Sequence, residues 1–149
     1  MKKIFKIGDQ KQCTFIVKDE DVAAFTTGVV HHVYSTFALA RDAEWTTRQF
    51  VLELKDEDEE GIGTKVSVIH HSPAFTGEEV IITGTITRME HHEIICSYEA
   101  KAGRRLVATG ETGQKILKRE KFDRLFAHAK QNAGVDLRRH KKSYDGETD

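Results

Sequence analysis

The chain has 149 residues, with 23 Lys or Arg against 24 Asp or Glu and a formal net charge of −1. That length suits one domain with its own core, and the charge balance lacks the basic excess of a dedicated nucleic-acid binder. No apolar run approaches the roughly 18 residues of a membrane span, and the opening MKKIFKIGDQKQ has no apolar stretch of the kind a signal peptide needs. Cys13 and Cys96 form no metal-ligand spacing and read as free thiols of a reducing compartment, so a soluble cytoplasmic domain is expected.

Taken in chain order, residues 12–18 (QCTFIVK) predict a strand and 19–23 a turn. Residues 35–54 predict one long helix, with Ser35 or Thr36 as its N-cap. At 100° per residue, Leu39, Ala40, Ala43, Phe50, Val51 and Leu54 fall on one stripe, and Arg41, Asp42, Arg48, Gln49 and Glu53 fall opposite. The run KDEDEEGIG at 55–63 reads as an acidic turn. Four β-rich segments follow at 64–72, 79–90, 93–101 and 105–118, with Gly77, His91–His92 and Gly103 marking turns. A last helix is predicted over 119–131, where Phe122, Leu125, Phe126 and Ala129 recur at helical spacing. Residues 1–130 thus form the domain, and 131–149 a charged tail with little to bury, expected to be mobile. Consecutive strands with short turns favour an antiparallel sheet. One long helix after the first strand, wrapped by such a five-stranded sheet, is the α+β layout of the hotdog fold.

Six of the eight histidines occur as adjacent pairs: His31–His32, His70–His71 and His91–His92. Neighbours on a strand point to opposite faces, so such a pair is a poor chelate, and no metal site is expected. His70 stands apart. Val66, Val68 and His70 share the apolar face of their segment, whereas His71 shares the other face with Lys65. A histidine ending an inward-facing series can be a satisfied core residue or an acid–base near neutral pH. Thr36 and Glu44 stand eight residues apart on the helix, about 12 Å of rise. Helix geometry alone makes Thr36 a cap and Glu44 an ion-pair partner of Arg48 or Arg41.

A wider pattern bears on these three residues. Thr36-x7-Glu44-Trp45, then GIGTKVSVIHHSPAFTGEEV at 61–80 with Gly63, Thr64, His70 and Gly77, then AGRRL at 102–106 and EKF at 120–122, resembles the fluoroacetyl-CoA thioesterase group of hotdog thioesterases. The likeness spans about residues 12–126. It implies hydrolysis of an acyl-CoA thioester, with Thr36, Glu44 and His70 in the positions of the catalytic set and no cofactor. The residue types suit that chemistry: a thioester carbonyl calls for a carboxylate as base or nucleophile, a histidine to move protons, and donors for the oxyanion. The first turn of the helix offers unpaired N–H groups for that last purpose.

The resemblance has departures. Phe37 stands where the group has a glycine after the threonine, Val30 where it has an aromatic gate, and GETGQ at 110–114 where it has a GTHER-like segment. These count against fluoroacetyl selectivity and leave the acyl-thioester class intact. Val30, Phe37 and Gly63 are expected to touch the acyl group. Arg104 and Arg105, with Lys118 and Arg119, are candidates for the CoA phosphates. A homodimer is expected, because one helix cannot cover the sheet and close its edges. A non-catalytic acyl-CoA or acyl-carrier binder and a hotdog dehydratase or hydratase are the alternatives on the same fold.

Overall fold

In the computed structural model, residues 1–134 are described, and a single antiparallel sheet wraps α1 (Thr36–Leu54). The sheet runs in the order β1 (Gln10–Ile16), β6 (Glu79–Glu90), β7 (Glu93–Ala102), β8 (Arg105–Lys118) and β4 (Glu59–Val66), with the short β5 (Ile69–His70) also on β8. A 3-10 turn (Asp19–Asp21) leads into a separate hairpin of β2 (Val22–Phe25) and β3 (Gly28–Tyr34), which leads into α1. After β8, α2 (Arg119–Asn132) closes the described chain. α2 thus includes the first two residues of the expected tail, and residues 135–149 lie outside the described residues.

The strands follow from alternation. On β6, Val80, Ile82 and Ile86 are fully buried, while Ile81 and Thr83 between them are more open. β6 and β7 are joined by two residues only, His91 and His92, at φ 51° and 64°. Positive φ at both central positions is the twist a two-residue hairpin requires, so this histidine pair is turn structure. Ser35 caps α1: its side chain accepts from the Ala38 N–H at 3.0 Å.

The helix meets the sheet through two apolar clusters. Leu39 and Ala43 pack with Val17, Val80, Ile82 and Val107 at its N-terminal half. Phe50, Val51 and Leu54 pack with Ile86, Ile94 and Ile116 at its C-terminal half. A side chain such as Phe50, fully buried, contributes about 1.5–3 kcal/mol. Between the clusters lies a polar belt, in which Thr112 Oγ1 donates to Thr47 Oγ1 at 2.8 Å and Gln114 Nε2 donates to it at 3.3 Å.

The structure corrects several expectations. The acidic run at 55–63 is not all turn: β4 starts at Glu59, which is buried because the Met1 ammonium pairs with it at 2.6 Å. The expected strand 64–72 is two strands. A bulge between Gly63 and Lys65 shifts the β4 register, and the chain breaks at Ser67, whose carbonyl accepts from Tyr98 Oη at 2.6 Å. Val66 consequently ends 40% exposed instead of facing the core, while Val68 packs on the first cluster. Asp42, placed opposite the apolar stripe by the 100° periodicity, is 4% exposed.

Candidate active site

The start of α1 and the end of β5 meet. His70 pairs with Ala108 of β8, and cross-strand partners point to the same face. Ala108 is in the core against α1, so His70 stands on the helix side of the sheet, exposed at its rim. Its Nε2 lies 2.8 Å from Thr36 Oγ1. His71 turns the other way and bonds Thr109 Oγ1 at 2.8 Å.

Thr36 and His70 line one cavity of about 430 Å³, with Ala23, Val33, Tyr34, Ser35, His71, Ser72 and Pro73. The N–H groups of Thr36 and Phe37 have no hydrogen-bond partner among the described residues, since the Ser35 side chain takes that of Ala38 and its carbonyl that of Leu39. These are two of the four N–H groups that every helix start leaves open, and they carry its partial positive charge. An anion or developing oxyanion at the helix start would find both donors there.

Glu44 is not in that group. It lies two turns further along α1, half-buried against Gly63 of β4, so close that a Cβ at Gly63 would collide with Glu44 Oε1. Among the described residues Glu44 forms no ion pair with Arg48 or Arg41; Arg48 instead reaches the Gly61 carbonyl at 3.4 Å. The three residues matched to the catalytic set thus fall into two places within one chain: Thr36 with His70, and Glu44 with Gly63.

The other sequence candidates scatter. Phe37 is 65% exposed and meets Phe25 edge-on at 5.8 Å between ring centroids. Val30 is 53% exposed on β3. Neither lines the cavity; Ala23 and Val33 of the β2–β3 hairpin do. Arg104 is exposed in the β7–β8 turn. Arg105 is committed to Glu78 at 2.6 Å and to the Pro73 carbonyl at 3.3 Å, which fixes the segment after His70 more than it offers a free cation.

Sequence reading missed Gln114. Its side chain is buried, and its Oε1 has no partner among the described residues. Gln114 stands opposite Gly63 in the β4–β8 register, so its side chain faces the same side as Glu44. The signal was available: an amide on the same strand face as Thr112 and Ile116.

A profile of the family described as fluoroacetyl-CoA-specific thioesterase matches residues 17–120. The chain belongs to that family. Among solved structures it is similar to a hypothetical protein of Thermus thermophilus described as a thioesterase superfamily member, at 28% identity over 91% of this chain and 100% of the other, with a TM-score of 0.84. A hot-dog-like protein from Thermanaerovibrio acidaminovorans shares the fold at 20% identity, covering 89% and 96%, with a TM-score of 0.76. A variant of the fluoroacetyl-CoA-specific thioesterase FlK does so at 18% identity, covering 88% and 99%, with a TM-score of 0.76. No curated protein matches by sequence. The fold is the hotdog fold of thioesterases, and the activity class that goes with the family is acyl-CoA thioester hydrolysis. No helix among the described residues is long and apolar enough to cross a membrane.

Proposed function

We propose that this protein hydrolyses an acyl-CoA thioester to free acid and CoA as a homodimer, with Thr36 and His70 from one chain and Glu44 from the other. The observation that carries the reading is the 2.8 Å contact between Thr36 Oγ1 and His70 Nε2 at a cavity beside the start of α1. The thioester carbonyl would lie at that helix start, its oxygen toward the Thr36 and Phe37 N–H groups and the Thr36 hydroxyl. Water adds to the carbonyl carbon as Glu44 takes its proton; the C–S bond then breaks, and His70 supplies the proton that the departing CoA thiolate needs.

The dimer supplies what one chain lacks. β4 is the last strand of the sheet, and its outer edge, from Gly61 to Val66, is unpaired among the described residues. Around that edge Phe37, Trp45, Val66 and Ile69 are 40–65% exposed. Two β4 edges pairing about a twofold axis would cover these side chains and close the edge. The same pairing carries Glu44, with Gly63, toward the Thr36–His70 cavity of the other copy. The departures at Val30 and Phe37 support an acyl group other than fluoroacetyl.

Release of free thiol across a panel of acyl-CoAs tests the reading. Glu44→Gln and His70→Ala should each lower kcat by roughly 10²–10⁴-fold while staying folded, and His71→Ala should change it little. Mixing Glu44→Gln with His70→Ala protein should restore part of the activity through heterodimers. Acyl-CoA binding without thiol release for any acyl group would make the protein a binder, and light scattering showing only a 16.9 kDa species would refute the shared site.

A further inference from the structure

The turn that carries Thr36 is fastened by a buried polar chain that the family resemblance does not contain. Tyr34 is the last residue of β3 and is 3% exposed. Its hydroxyl donates to Asp42 Oδ2, two turns along α1, in a short hydrogen bond. Arg41 holds the same carboxylate from the solvent side, with Nε to Oδ1 at 2.9 Å and Nη2 to Oδ2 at 3.2 Å. Arg41 Nη2 also reaches Asp21 Oδ1 at 2.9 Å. Asp21 in turn accepts the Ser35 N–H on its own carbonyl, at 2.8 Å, and the Lys18 N–H on its carboxylate, at 3.1 Å. Burial and the Asp42 carboxylate both hold the Tyr34 phenol far above its ordinary pKa, so it stays a donor.

Stability alone does not require this arrangement. Asp42 occupies a buried position on the helix, where an apolar residue of similar volume would serve packing as well or better. A buried carboxylate is costly unless its lone pairs are filled, and here Tyr34 and Arg41 fill them. Sequences depart from the apolar rule mainly where a geometry has to be fixed. The geometry fixed here is that of Tyr34, Ser35 and Thr36, three consecutive residues that all line the cavity. The Tyr34 N–H donates to the Ala74 carbonyl at 2.8 Å, and Val33 bridges Phe75. Ala74 lies four residues after His70. One fastening therefore sets the threonine turn and the histidine segment relative to each other.

We propose that Tyr34 and Asp42 are positioning residues that hold Thr36 in register with His70. This rests on the thioesterase reading for its kinetic consequence, though not for its structural one. Tyr34→Phe removes one oxygen and leaves Asp42 paired with Arg41. Thr36 should then sample positions outside hydrogen-bond reach of His70, and a shift of about 1 Å in a reacting group can cost up to 10²-fold.

The experiment compares four proteins by ring-nitrogen NMR of His70, thermal melting and thiol release: the parent, Tyr34→Phe, Thr36→Val and Ile86→Val. Thr36→Val gives the His70 spectrum without its hydroxyl partner. Ile86→Val weakens the distant second cluster and controls for lost stability. The expected result is a His70 signal in Tyr34→Phe displaced toward that of Thr36→Val, with kcat down by roughly 10-fold or more and KM little changed. Ile86→Val should keep the parent's His70 signal and kcat. Asp42→Leu should resemble Tyr34→Phe, and the double variant should be no worse than either; if Asp42→Leu does not fold, Tyr34→Phe decides alone. A parental His70 signal in Tyr34→Phe overturns the proposal, whether or not any acyl-CoA is turned over. On a thioester that the parent hydrolyses, a parental kcat overturns it as well. Absence of all turnover would count against the thioesterase reading and leave the NMR comparison to decide this one.

Discussion

Two glycines on β4, one residue apart, offer a test that separates packing from chemistry. A Cβ at Gly61 would run into Val51 Cγ1, and Val51 is fully buried in the second cluster. A Cβ at Gly63 would run into Glu44 Oε1, the far end of a half-buried, flexible side chain. Neither glycine has a positive φ, so alanine meets no backbone strain at either place. Gly61→Ala overpacks the core and should cost about 1–3 kcal/mol, or roughly 2–12 °C of melting temperature for a chain of this size. It should leave the rate on folded protein near the parent's. Gly63→Ala should melt within a degree or two of the parent, because a carboxylate can rotate away. To regain ordinary contact distance, however, the Glu44 carboxylate must withdraw by about 1 Å. If Glu44 acts on the thioester, that displacement should cost roughly 10–10²-fold in kcat. Thermal melting and thiol release on both single variants, and on Gly63→Ala combined with Glu44→Gln, complete the cycle. The double variant should be no slower than Glu44→Gln alone, since the alanine acts only through the carboxylate. Full activity in Gly63→Ala, or additive losses in the double variant, would refute the assignment of Glu44.

Ser35→Ala removes the cap on the Ala38 N–H; it should cost about 1 kcal/mol, within a range of about 0.5–2, read as a denaturant midpoint shifted at constant slope. Burial pushes the Cys96 thiol and the Tyr98 phenol up to about 12 each. Both groups bind their protons more tightly when folded, so their contribution is full below about pH 9 and is lost as pH rises toward 12. Denaturant titrations from pH 8 to 11 should show stability falling with pH. An alkylating reagent at pH 8 should modify Cys13 in the folded protein and Cys96 only on unfolding; prompt modification of Cys96 would contradict its burial.

Legibility in the sequence tracked the range of the forces involved. The strand 79–90 was read to the residue, because its alternation is local and both bounding turns are marked. The helix is legible to within one residue, because Ser35 is a local cap and the apolar stripe ends at Leu54. The β2–β3 hairpin was not read at all. Its residues from Gly28 to His32 are exposed on both faces, so GVVHHVY carries no period, and two register shifts break even its pairing. Glu59 looked like one more charge in an acidic turn because its partner, the Met1 ammonium, is at the far end of the sequence. Strand alternation puts His70 on the helix side and only the family resemblance joins it to Thr36; the contact itself depends on how β5 sits on β8.

Asp42 marks the limit of reading charge as exposure. On a helical wheel it falls beside Arg41 on what looks like a solvated flank, and the pair reads as ordinary surface polarity. In the fold the two are separated in kind: the Arg41 side chain is 59% exposed while that of Asp42 is 6% exposed. Two donors make the difference, and only Arg41 is adjacent in sequence. Tyr34 belongs to the preceding strand, and Asp21 to a 3-10 turn 20 residues upstream that binds Asp42 only through Arg41. A wheel treats each residue against an average environment, whereas burial of a carboxylate is decided by whether specific donors arrive. The same holds for Glu44, whose position beside Gly63 depends on a glycine in another strand making room for it. In both cases the residue that gives the carboxylate its setting is one that composition and periodicity assign to structure alone. The functional meaning of Asp42 and of Gly63 therefore stands or falls with the Tyr34→Phe and Gly63→Ala comparisons, each of which changes the setting and leaves the carboxylate residue unsubstituted.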